Sequence, residues 1–196
     1  MKKFFLLFLI SLVTVLAWAS VPSTSVGCQI NCPKSYGSGI LLDKGYVLTA
    51  AHVVSEKTNN HIEKVVFPWV IFDDGTKRTG RLERFDNKLD LALLQTGHKL
   101  TGVTLGEPPT RGDIIWVIGS SGGFRNSLKR GIVSNMTDTD LMTDTLVSPG
   151  ASGGPMLNDD GELIGLTQAM LLTHGTIYVY GVGVPIKTIK EFLKGI

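Results

Sequence analysis

At 196 residues, with 43% hydrophobic and 18% charged side chains, the chain can bury one sizeable core or two small ones. That composition excludes a disordered or fibrous protein. Lys2 and Lys3 are the only charges in residues 1–19, so the 19 basic residues less those two leave 17, matched by 17 acidic ones, and no Lys/Arg cluster remains to engage a phosphate backbone. Nucleic acid is therefore not an expected partner.

The chain opens with Lys2-Lys3, an apolar run over 4–16, and Ala17-Trp18-Ala19, the small-x-small pattern that a signal peptidase reads. Residues 1–19 are expected to be a signal peptide, and the remainder to be exported, either periplasmic or secreted. The apolar run is shorter than the roughly 20 residues that span a bilayer, and an uncleaved N-terminal anchor is the alternative. Ser25-Val26-Gly27-Cys28 carries a faint likeness to a lipoprotein processing site, but it lacks a large apolar residue three before the cysteine. The segment 20–34 holds both cysteines, Cys28 and Cys32. An oxidising compartment would let them pair, and closing so short a loop would contribute about 2 kcal/mol. No metal site is expected, because no His or further Cys follows at ligand spacing.

Beyond residue 35 the pattern is one of short β-branched and aliphatic runs separated by Gly, Asp and Asn. Strands are predicted over 39–42, 46–49, 64–72, 79–85, 89–95, 114–118, 127–134, 142–146, 163–170 and 176–184. The second ends in Thr49-Ala50-Ala51-His52-Val53-Val54, where small residues permit a tight turn around one imidazole. His52 is the candidate general base, since imidazole exchanges protons near neutral pH; an ordinary core or surface histidine is the alternative. His61, His98 and His174 have no such context and are expected to be solvated loop residues. Asp90 opens the apolar run Leu91-Ala92-Leu93-Leu94. A carboxylate entering a buried strand needs a partner, and an imidazole N–H would supply one; a strand-entry turn residue is the alternative.

The segment Gly106-Glu107-Pro108-Pro109-Thr110-Arg111-Gly112 divides the predicted strands into two groups. Later, Gly150-Ala151-Ser152-Gly153-Gly154-Pro155 sets a serine among glycines that let backbone N–H groups converge on a substrate. Ser152 is the candidate nucleophile, and a Gly-rich turn with an incidental serine is the alternative. At the end, Ile186, Ile189, Phe192 and Leu193 after Pro185 form a helical apolar stripe, which predicts a short docked helix.

The order His52, Asp90, Ser152, with Gly37-Ser38-Gly39-Ile40, Gly45-Tyr46-Val47-Leu48-Thr49, Asp90-Leu91-Ala92-Leu93, Val117-Ile118-Gly119, Gly131-Ile132-Val133-Ser134, Thr143-Asp144 and Gly161-Glu162-Leu163-Ile164-Gly165, resembles the trypsin-fold serine peptidases, most closely the HtrA-like (Deg) protease domain. The resemblance implies an all-β fold of two packed antiparallel six-stranded β-barrels with a short C-terminal helix. It sets a peptidase domain over 35–196, with barrel one at about 35–105, barrel two at about 113–185 and the helix at about 186–195. It also implies an acyl-enzyme mechanism without metal or organic cofactor, protein or peptide substrates, and an oxyanion hole made by the Gly150 and Ser152 N–H groups. Losing one such donor typically costs about 10²–10³ in turnover. Trimers are common in the family, but no interface is readable here.

Several positions depart from the pattern. Ala151 stands where digestive enzymes carry Asp and HtrA-like domains usually carry Asn, so activation by a cleaved N-terminus is not expected. With ten residues after Ile186, the family's PDZ module is not expected either. The resemblance places the primary pocket at Leu146, Val147, Met170 and Leu171, all apolar, which disfavours cleavage after Lys or Arg. Gln168 replaces a Ser or Thr near the triad carboxylate. The expected function is a serine endopeptidase acting on unfolded or flexible proteins. A non-catalytic, peptide-binding or chaperone-like protein on the same fold is the alternative.

Overall fold

The computed structural model describes residues 21–58, 61–173 and 176–196, with the side chains of 57–58 and 169–179 outside that description. The expected signal peptide and His174 lie outside the described residues.

Among the described residues, fifteen strands form three sheets, and a short helix follows them. The first half builds a curled seven-stranded sheet in the order β7-β6-β1-β2-β3-β9-β8. Its members are β1 (Gly27–Asn31), β2 (Tyr36–Leu41), β3 (Tyr46–Ala50), β6 (Trp69–Phe72), β7 (Lys77–Thr79), β8 (Arg81–Asp86) and β9 (Leu91–Gln95). The second half closes a six-stranded barrel, β10-β11-β12-β15-β14-β13. It comprises β10 (Ile114–Gly119), β11 (Ser127–Met136), β12 (Leu141–Thr143), β13 (Pro155–Leu157), β14 (Leu163–Thr173) and β15 (Thr176–Pro185). The mostly β architecture with two packed units is the one the sequence predicts, with the first unit an open curl rather than a closed ring.

The strand predicted over 64–72 is interrupted at Pro68, which has no N–H to give to a ladder. Before the break, β4 (Ser55–Thr58) and β5 (His61–Lys64) pair as a separate hairpin springing from the turn that carries His52. β9 is buried along Leu91-Ala92-Leu93-Leu94, because it sits between β3 and β8 with the core against it. The larger core cluster takes residues from both halves, including Ile40, Leu48 and Leu93 from the first and Ile118, Leu166 and Val184 from the second. A smaller plug of Ile115, Val117, Val133, Leu141, Met156 and Ile164 fills the barrel.

The predicted helix is α1 (Ile186–Phe192), which buries Ile186, Ile189 and Phe192. Arg84 on β8 donates to the carbonyls of Phe192 and Lys194 at its C-terminal end, a cation placed where the helix leaves acceptors unfilled. Among the described residues no helix is long and apolar enough to cross a membrane.

Two expectations are corrected. Cys28 and Cys32 are free thiols, not a disulfide. Cys28 lies within extended β1 and Cys32 follows its end, so four extended residues separate their Cα atoms by about 13 Å, far beyond bridging distance. Cys28 instead packs in the core, while Cys32 donates to the Val53 carbonyl at 3.2 Å. His98 is buried rather than solvated, its ring stacked on Phe72 at 3.8 Å between centroids. His61, on β5, is exposed.

Candidate active site

β3 runs buried as far as Ala50, where the 3₁₀ turn Ala51–Val54 begins. Ala51, Val53 and Val54 face the core, and the turn leaves His52 outward with half its side chain exposed. Asp90 meets it from the start of β9. Its φ of 55° lies in the left-handed region, where Asp is tolerated among L residues. The backbone is held there by Ala51 N–H, which donates to the Asp90 carbonyl at 3.1 Å.

Asp90 Oδ1 accepts the His52 backbone N–H at 3.0 Å, and its two oxygens lie 3.0 and 2.8 Å from His52 Nδ1. An ionised carboxylate only accepts, so Nδ1 carries the proton and a neutral ring presents the Nε2 lone pair. Gln168 Nε2 adds a long 3.4 Å bond to Asp90 Oδ2. The carboxylate thus stands at the mouth of its strand, 23% exposed, rather than inside the core.

Ser152 is the second residue of the latter of two consecutive turns that share Ala151. Ala151 N–H donates to Ser148 O, and Gly154 N–H to Ala151 O, each at 3.0 Å. The third residues of these turns, Gly150 and Gly153, have φ of +95° and +87°. This is the type II pattern, with Pro149 preset at the second position of the first turn. A Cβ on Gly150 would come within 2.3 Å of the Ser120 carbonyl oxygen and 2.5 Å of the Tyr36 ring, so space and φ both require glycine. Ala151 is buried against Gly119, where an added Cβ would come within 2.9 Å of the Ala151 Cα.

Among the described residues neither the Gly150 nor the Ser152 backbone N–H has an acceptor. The Ser152 hydroxyl donates to the Gln168 backbone carbonyl at 2.8 Å and makes no bond to His52. His52, Asp90, Ser152 and Gln168 line one cleft of about 650 Å³ together with Val147, Ser148 and Pro149. Of the residues assigned to the primary pocket, Val147 is in the cleft wall, whereas Leu146 is 57% exposed and outside it. The side chains of Met170 and Leu171 lie outside the described residues.

Lys129, on β11, braces the far side of the same segment by donating to the Leu146 carbonyl at 2.6 Å and to Ser121 Oγ at 3.4 Å. Partial burial holds its ammonium below the usual lysine range. Ser38, quoted in the segment Gly37-Ser38-Gly39-Ile40 but given no role from the sequence, bonds to the nucleophile segment from β2.

The trypsin-like peptidase domain family matches residues 37–166, and the chain belongs to it. Its relatives are HtrA/DegP-like. The chain is 32% identical over 165 residues to a probable periplasmic serine endoprotease DegP-like of Pseudomonas putida, covering 78% of this chain and 33% of that protein. It is 30% identical over 170 residues to the periplasmic serine endoprotease DegP of Escherichia coli K12, covering 79% of this chain and 34% of that protein. The chain therefore spans about a third of the length of these relatives. Among solved structures, the HtrA-type protease AlgW with tripeptide superposes with a TM-score of 0.75 at 27% identity, covering 88% of this chain and 60% of that one. The serine endoprotease from Yersinia pestis superposes at 0.73 and 25%, covering 88% and 66%.

Proposed function

We propose that this chain is an exported serine endopeptidase that hydrolyses peptide bonds in unfolded or flexible proteins through an acyl-enzyme. The observation that carries this reading is the His52–Asp90 pair, its Nδ1 proton committed to the carboxylate, in the same cleft as Ser152. In this reading Ser152 attacks the scissile carbonyl, His52 Nε2 takes the hydroxyl proton and returns it to the leaving amine, and Asp90 stabilises the imidazolium. The Gly150 and Ser152 N–H groups, without acceptors among the described residues, receive the oxyanion. Val147 in the cleft wall favours an apolar residue before the cleaved bond.

The bond from Ser152 to the Gln168 carbonyl favours a second reading, in which the site binds peptides without cutting them. The two are separated by labelling the mature chain with a fluorophosphonate beside Ser152→Ala, together with casein digestion. The enzyme reading expects labelling and digestion by the natural chain alone. Equal labelling of both chains, or casein left intact at every pH tested, would sink it. Export predicts that the N-terminus of the protein recovered from cells begins after residue 19.

A further inference from the structure

The turn at 148–151 can take two forms. Types I and II differ by a flip of the central peptide, here between Pro149 and Gly150, and this pair of residues is compatible with either. The flip reverses the direction of the Gly150 N–H, so the sequence of the turn does not by itself decide whether that donor is available.

The surroundings of the turn do decide it. Gly122 N–H donates to the Pro149 carbonyl at 2.9 Å. Because the peptide is planar and trans, this leaves the Gly150 N–H on the opposite side, where it has no acceptor among the described residues. Ser38, buried on β2, fixes both parts of this arrangement. Its hydroxyl donates to the Gly150 carbonyl at 2.7 Å, holding the exit of the turn. The same oxygen accepts Ser120 N–H at 2.8 Å, holding the root of the tight turn that supplies Gly122. Ser38 N–H also donates to the Ser152 carbonyl at 2.8 Å, and its carbonyl accepts Thr49 Oγ1 at 2.7 Å on the strand leading to His52.

We propose that Ser38 is a positioning residue whose hydroxyl, acting with Gly122, locks the 148–151 turn in its type II form and so presets the Gly150 N–H for the oxyanion before substrate arrives. The catalytic role of that N–H rests on the endopeptidase reading above; the orientation of the peptide does not. Removing the hydroxyl leaves a buried N–H and a buried carbonyl unpaired and cuts the registration between donor and turn.

The test compares the natural chain with Ser38→Ala and Ser38→Thr on one fluorogenic peptide. The affinity of the same peptide is measured in a Ser152→Ala background with and without Ser38→Ala, and the crystal structure of Ser38→Ala is determined. Expected are a fall in kcat on the order of 10²-fold in Ser38→Ala, recovery in Ser38→Thr, and KM and peptide affinity held within about twofold. The crystal structure is expected to show Gly150 at negative φ. A Ser38→Ala chain that keeps Gly150 near +95° with Pro149 still on Gly122 overturns the proposal, as does a loss carried by peptide affinity rather than kcat. If the natural chain cuts and labels nothing, the endopeptidase reading fails, and Gly150 φ in Ser38→Ala still decides the lock.

Discussion

Asp90 serves His52 by geometry as much as by charge, since one oxygen takes the backbone N–H and both lie against Nδ1. Asp90→Asn puts an amide in that place, which can favour the opposite tautomer and remove the Nε2 lone pair. Turnover should drop by about 10⁴-fold with the fold intact, as checked by kcat and circular dichroism. Gln168→Ala removes only a long, partly exposed bond to the same carboxylate, so a loss of no more than about tenfold is expected. The thiols behave differently. Burial, opposed by a hydrogen bond with Ser35 and assisted by the charge of Glu56, raises the Cys32 pKa, and burial raises that of Cys28 further. A raised folded-state value means the neutral thiol is the one the fold favours. That stability is complete below the unfolded thiol's pKa of about 8.5 and is lost as pH climbs through the folded value. Iodoacetamide should therefore spare both cysteines in the native protein at neutral pH and modify both after denaturation; rapid native labelling would contradict this placement.

Among elements, those legible in the sequence have a period or a strong breaker. The strands around His52 and Asp90, the proline-rich division and the stripe of α1 all qualify. β13 spans only Pro155–Leu157, too short for a period to show, and β1 is hidden because Cys28 with the nearby Cys32 suggests a staple. The hairpin β4–β5 is exposed along β5 and carries no apolar alternation to mark it. His98 was misread because its surface-like neighbours reveal nothing of Phe72, which the fold brings against its ring. The candidate site was legible as residue types in order, whereas the roles of Ser38 and Gln168 depend on contacts between distant strands. For α1, Ile189→Ala removes a fully buried side chain and should destabilise the protein by about 2–5 kcal/mol, read from a denaturant midpoint.

At the scale of the molecule, the cleft draws His52 and Asp90 from the first sheet and Ser152 from the second unit. The larger core cluster likewise runs through both. Such shared packing predicts one unfolding transition rather than two. Trp69 lies on β6 and Trp116 on β10, so each unit has its own fluorophore. Single-tryptophan variants should report coincident urea midpoints, and separated midpoints would show that the units unfold independently.

The contacts from Arg84 to residues 192 and 194 have a consequence for biosynthesis. The acceptors are made 108 and 110 positions after the guanidinium that binds them. A nascent chain therefore has β8 and most of the first core in hand while lacking the helix that covers them. Arg84 stays without these acceptors until the helix has been made and has docked.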